Sequence, residues 1–182
     1  MKTIEQILRD RQATPEEVIA AFDSLPPTST AFMLGRWKGY EITTGHAMEG
    51  LLEPGGWYGK LFLDAERVHP LLFYAKSKSE LYAVDPKRIP LTLNFPRIKA
   101  LGVIMRLLRP FWQTKHGRAR IRMVAYRGKV TGTMVYDHKA IMDHFVKVDE
   151  NTMLGIMDLK GNPAPYAFVL VRDNDASYRI AL

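Results

Sequence analysis

The chain has 182 residues, 47% of them hydrophobic, a formal net charge of +7 and no cysteine. That length suits one domain with a substantial core. The absence of cysteine excludes disulfides, a thiol nucleophile and cysteine metal sites.

No apolar run reaches the ~18 residues of a membrane-spanning helix. The first residues, Met1 to Gln6, lack a leader's apolar core, so the expected compartment is the cytoplasm. The charge is uneven. Residues 86–136 hold twelve Lys or Arg and no Asp or Glu. Such a block is either a solvated face or a surface for an anionic membrane, an anionic ligand or nucleic acid.

In chain order, residues 3–12 place Ile4, Ile7 and Leu8 at helical spacing. Thr14-Pro15-Glu16-Glu17 starts a second helix: Thr14 caps it, Pro15 suits its first turn and Glu17 completes a capping box. Val18, Ile19 and Phe22 form its apolar face, and Pro26-Pro27 ends it. The two helices, residues 1–27, read as a plug or lid on the rest of the chain, or as a dimerisation hairpin.

From Ala31 the texture becomes strand-like. Strands are expected at 37–44, 57–62, 71–75 and 81–84, and a fifth at 91–93, with a turn at Glu53-Pro54-Gly55-Gly56. Residues 98–109 have helical spacing before Pro110. With Phe111 and Trp112 they read as a cover for one end of a barrel or as an interfacial helix.

Strands at 118–126, 130–136, 141–148, 152–157 and 166–172, joined by short polar turns, form an antiparallel meander, with a short last strand at 177–182. The fold class is therefore mainly β: an antiparallel, lipocalin-like barrel of about eight to ten strands with N-terminal helices, closed so that no edge is exposed. Residues 28–182 form the barrel domain, with a first half at 28–96 and a meander half at 97–182.

Gly35-Arg36-Trp37-Lys38-Gly39 sits where helical sequence gives way to strand. This run, and Gly56-Trp57-Tyr58-Gly59-Lys60 after it, resemble the GXWXG protein family. Tyr126-Arg127-Gly128-Lys129-Val130 and Met134-Val135-Tyr136-Asp137 resemble the domain of unknown function that accompanies that family. More distantly, the chain is similar to lipocalins, their calycin relatives and nitrobindin-like haem barrels, which open with a Gly-x-Trp strand. That resemblance implies that Arg172 covers Trp37 in a cation–π contact. Two preceding helices and the absence of disulfides depart from the lipocalin pattern.

No phosphate loop, dinucleotide fingerprint, Gly-x-Ser-x-Gly elbow or His-Glu-x-x-His motif is present. The leading functional expectation is a carrier or sensor of a small hydrophobic or amphipathic molecule, including an anionic lipid or fatty acid. Its candidate ligand-binding residues are Trp37, Trp57, Tyr58, Lys60, Arg122, Tyr136 and His144, and its motif residues are Gly35, Trp37, Gly39 and Arg172.

Arg118, Arg120 and Arg122 share one strand face. Outward, they form a basic stripe and leave Ile121, Met123 and Ala125 facing the cavity. Inward, they hold a carboxylate or phosphate. Met134, Met142, Met153 and Met157 are either adaptable lining or ordinary core.

Two alternatives stand beside the carrier. One is a haem protein with His144 as the iron ligand inside the barrel. The other is a small barrel enzyme acting on a lipid-like or cyclic substrate. No metal site is expected otherwise. Nucleic-acid binding ranks below these for want of a reading motif. An anionic membrane surface and a second copy of the chain are the remaining candidate partners.

Overall fold

The computed structural model describes residues 1–77, 79–89, 101–174 and 177–182. Helices α1 (Ile4–Asp10), α2 (Pro15–Ser24) and α3 (Thr30–Met33) lead into strands β1 (Gly35–Ile42), β2 (Trp57–Phe62), β3 (Val68–Tyr74) and β4 (Glu80–Ala83). A 3₁₀ turn (Pro86–Arg88) comes next, then α4 (Leu101–Leu107) and α5 (Arg109–Trp112). The remaining strands are β5 (Ala119–Tyr126), β6 (Lys129–Tyr136), β7 (Ile141–Asp149), β8 (Thr152–Leu159), β9 (Asn162–Arg172) and β10 (Arg179–Ala181). The strand expected at 91–93 lies outside the described residues.

Eight strands close in the order β3-β2-β1-β9-β8-β7-β6-β5, and β3 meets β5 at Val68 and Ala119. All pairs in the ring are antiparallel. Beyond Tyr74, Phe73 and Leu72, which pair with β4, β10 extends the sheet as a parallel neighbour of β4. Closure at Val68 and Ala119 limits the unpaired strand backbone of the ring.

The capping boxes of α1 and α2 form as their sequences dictate. Thr3 accepts from Gln6 N, and Thr14 accepts from Glu17 N at 3.2 Å. The two helices are neither plug nor lid. Ile7, Val18 and Phe22 pack outside the barrel against Ile42, Val146, Leu154 and Val169. These four residues form an apolar patch on the outward side of β1, β7, β8 and β9, and the helical stripes cover it.

The short α3 closes one end of the barrel. Its Met33 is buried in the inner core, and Trp37 Nε1 donates to the Met33 carbonyl at 2.7 Å. Above this floor Phe62, Phe145, Phe168 and Met153 fill the interior. Arg172 lies over Trp37 with its guanidinium carbon 4.2 Å from the ring centre, and it donates to the Leu34 and Phe32 carbonyls at 2.9 Å. Cation–π contact and two backbone hydrogen bonds thus pin α3 to β1 and β9.

Residues 101–112 cover the barrel with one side and leave apolar side chains on the other. Leu101 and Met105 join the inner core, while Leu107 and Phe111 point to solvent. The outer half of β5 also departs from expectation. Ala119 and Ile121 are interior, but Met123 and Ala125 are exposed. β5 meets β3 only at Ala119, so its later residues run past the closed ring.

Candidate functional site

Two glycines and one proline set the geometry. Gly39 gives its Cβ space to a ring: a methyl there would stand 2.3 Å from Trp57. Trp57 is thereby seated against the inside of β1. Gly59 (φ +149°) lies so close to β1 that a Cβ would stand 2.0 Å from the Trp37 carbonyl oxygen. The β2–β3 register shifts between Trp57 and Gly59, then shifts back between Gly59 and Leu61. Each strand therefore carries an extra residue, on β3 near Pro70, whose missing N–H suits a bulge.

The bulge inverts the side-chain parity of β2. Trp57 points in and Tyr58 points out, but Lys60 points in again, with Leu61 out and Phe62 in. A regular strand would have turned Lys60 outward.

Lys60 enters a cavity of ≈ 100 Å³ at the barrel end opposite α3. Its walls include Met48, Leu52, Trp57, Leu71, Tyr136, Ile141, Asp143, Met157, Tyr166 and Phe168, with Pro86, Ile89 and Lys139 at the rim. Lys60 Nζ stands 2.9 Å from Asp143 Oδ2, and each side chain is no more than 3% exposed. Nζ also donates to the Pro70 carbonyl at 3.2 Å, so the bulge that turns Lys60 inward supplies an acceptor for it. Three rings surround the ammonium, with centres at 4.9 Å (Phe168) and 5.8 Å (Trp57 and Tyr136).

Burial pushes the Asp143 carboxyl above the usual carboxylate range, and Lys60 opposes that shift. Burial, with the Asp143 charge beside it, holds the Tyr136 hydroxyl well above its ordinary value. Lys60 holds Asp143 Oδ2, but among the described residues no well-directed hydrogen bond reaches Asp143 Oδ1 or the buried Trp57 Nε1. Buried polar atoms are almost always paired, so these two mark places where a further polar group fits.

A second carboxylate holds the cavity roof. Tyr166 Oη donates to Glu41 Oε1 at 2.6 Å, and Glu41 also accepts from Gly50 N and Glu53 N. Glu53 accepts from Glu41 N in return, at 3.1 Å. Glu49 accepts from Thr44 N and Gly45 N, and the His46 ring meets Asn162 at 3.0 Å. These bonds fix the loop after β1 so that Met48 and Leu52 lie over the cavity.

The structure brings together three of the seven candidate residues, Trp57, Lys60 and Tyr136. Trp37 is in the packed floor. Tyr58 faces out and donates to Asp173 at 2.6 Å. Arg122 also faces out, to Glu66 at 2.6 Å and the Ala65 carbonyl at 3.2 Å. It cannot orient a molecule inside the barrel.

The expectation that His144 points inward is corrected. It lies on the outer side of β7 beneath Tyr126, ring on ring at 3.8 Å, with Nδ1 2.9 Å from Thr133 Oγ1. An iron ligand at this position would sit under the helices, not inside the barrel. The inward neighbour is Asp143. Sequence reasoning misses Asp143, Tyr166, Glu41 and Phe168 as site residues. For Asp143 the signal is the parity of Ile141, Asp143 and Phe145, which competes with an equally apolar set, Met142, Val146 and Val148, on the other face. Of the four candidate methionines only Met157 lines the cavity; Met134 and Met153 are inner core.

Comparison with known proteins gives two family matches. Residues 20–78 match the GXWXG protein description, and residues 117–172 match a domain of unknown function, DUF4334. No curated protein matches. A crystal structure of a protein from Thermomonospora curvata is 31% identical, with a TM-score of 0.71, over 93% of this chain and 95% of that one.

Proposed function

The chain belongs to the GXWXG family, carrying its paired C-terminal domain on a closed antiparallel barrel compatible with ligand binding, and from that premise we propose that it binds a small, compact, mostly apolar molecule bearing one polar group. The observation that carries this reading is the Lys60–Asp143 pair, buried in an aromatic cavity with the second carboxylate oxygen lacking a well-directed hydrogen bond among the described residues. A buried ion pair is a weak stabiliser, because desolvation offsets its attraction. In a cavity, the same pair orients a ligand.

Size and charge narrow the class. An apolar cavity of about 150 Å³ accepts benzene. The ≈ 100 Å³ here therefore favours a short chain or a small ring over a long fatty acid. Asp143 already balances the Lys60 charge, so a carboxylate ligand would have to displace it. A neutral carbonyl or hydroxyl instead finds donors in Lys60 and Tyr136 and an acceptor in Asp143. This refines the expectation of an anionic lipid towards a neutral polar head.

The test is ligand-observed NMR and calorimetry with four- and five-membered-ring ketones, alcohols and carboxylates, and with hexadecanoate. The neutral rings should bind best, and Lys60→Met/Asp143→Leu should weaken them at least about tenfold, the loss of one or two hydrogen bonds to charged groups. Binding that ignores this double substitution, or no binding across the series, would overturn the reading.

One observation favours a second reading. Asp143, its carboxyl raised by burial, adjoins the Tyr136 hydroxyl, which is the arrangement of a base and a donor for proton transfer at a cyclic substrate. Deuterium exchange at the α-carbon of a bound ring ketone tests it. Exchange that Asp143→Asn abolishes supports an enzyme, and exchange at the solution rate removes that reading.

A further inference from the structure

The barrel requires one apolar face of α4, and the helix has two. Leu101, Gly102 and Met105 are buried against the inner core and the loop before β2. On the opposite side Val103 is 47% and Leu107 72% exposed, and Phe111 in α5 is 66% exposed. Val103 and Leu107 are four residues apart and share a face. The helix leaves this second face to solvent.

The charges around that face have one sign. Lys87, Arg88 and Arg106 are exposed, and residues 86–136 contain no acidic residue. The nearby carboxylates are engaged: Glu80 with Arg109 at 2.6 Å, and buried Asp85 with Arg118 at 2.9 Å. Arg88 donates to the Phe111 carbonyl, joining the apolar patch to the 3₁₀ turn. Pro86 of that turn and Ile89 beyond it line the cavity rim. Among the described residues no helix is long and apolar enough to cross a membrane. The arrangement is that of an element lying in the plane of a lipid interface.

We propose that α4 and α5 dock on an anionic lipid bilayer, with Val103, Leu107 and Phe111 entering the interface and Lys87, Arg88 and Arg106 meeting lipid head groups. Charge complementarity selects this occupant: apolar side chains ringed by cations match a negatively charged leaflet. Docking of this kind is independent of the identity of the cavity ligand.

Co-sedimentation tests it, with the whole protein and vesicles of phosphatidylcholine alone or with about one-third phosphatidylserine. The protein should bind the anionic vesicles and not the neutral ones, and added salt should weaken binding. Leu107→Asp/Phe111→Asp should abolish it. Lys87→Gln/Arg106→Gln should lower the partition coefficient roughly thirtyfold, about fivefold for each charge lost. Arg88 is left in place because it holds Phe111. Wild-type melting temperatures would exclude misfolding, since all four substituted side chains are exposed.

No binding to anionic vesicles overturns the proposal, and so does binding that neither pair alters. Loss with the charge pair alone, accompanied by equal affinity for a polynucleotide, would reassign the surface to polyanions.

Discussion

Lys60→Met isolates the energetic consequence of the buried pair. It removes the ammonium 2.9 Å from Asp143 and leaves a carboxylate that is 2% exposed without a counter-charge. Breaking such a pair from one side costs about 3–5 kcal/mol, whereas replacing both members with apolar residues of similar volume is near neutral or stabilising. Lys60→Met should therefore be severely destabilised near neutral pH, and Lys60→Met/Asp143→Leu should recover most of the loss.

The pH dependence has a defined sign. The folded carboxyl of Asp143 already titrates above its ordinary 3.8, because burial outweighs Lys60, and removing Lys60 moves it further up. The unfolded chain thus ionises first as pH rises. The penalty grows from the ordinary carboxylate range up to the folded value and is full above it. Urea unfolding followed by tryptophan fluorescence, at about pH 5 and about pH 7.5, reads both effects. A single variant within about 1 kcal/mol of wild type at neutral pH, or a double variant no better than the single, would refute the reasoning.

Three further outcomes rest on the same geometry. Gly59→Ala places a methyl 2.0 Å from the Trp37 carbonyl, backbone that cannot yield without breaking the β1–β2 pairing. We expect a loss of about 3 kcal/mol or more, or no folded protein, by urea unfolding and expression level. Arg172→Ala removes the cover of Trp37 and two hydrogen bonds to the C-terminal end of α3, at the Phe32 and Leu34 carbonyls. It should cost about 2–3 kcal/mol in unfolding free energy, and Arg172→Lys should recover little. His69 is buried with Nδ1 unpartnered, and burial brings its pKa down to about 4. Neutral in the folded state, it is protonated in the unfolded chain below about pH 6.5, so stability should fall as pH drops from there to about 4, by about 3 kcal/mol. His46 and His144 shift in the same direction, and His69→Asn should flatten only part of the slope.

The parts of the fold that could be read from sequence are those in which one strand face carries the signal. Residues 118–172 show turns at regular intervals, and β5 to β9 match them. Gly35-Arg36-Trp37-Lys38-Gly39 marks the opening of the barrel because Trp37 and Gly39 share its inner face, one filling the floor and the other making room for Trp57. The signal fails where both faces are covered. On β7 the helices bury the outer set and the barrel buries the inner one, so alternation vanishes and His144 is as plausible inside as Asp143. β2 conceals a different irregularity. Its bulge reverses parity between Tyr58 and Lys60, a property of pairing with β1 and β3 that residue order does not display. The site itself is assembled from β2, β6, β7 and β9, and only closure of the barrel places Lys60, Tyr136, Asp143 and Tyr166 around one space.

Whether the Lys60–Asp143 pair holds a small molecule in the barrel is decided by native mass spectrometry of freshly purified wild type and of folded Lys60→Met/Asp143→Leu, side by side. A small organic molecule should be retained on wild type and missing from the double variant. The same adduct on both proteins, or an adduct on neither together with no uptake of the ring ketones, would contradict that expectation.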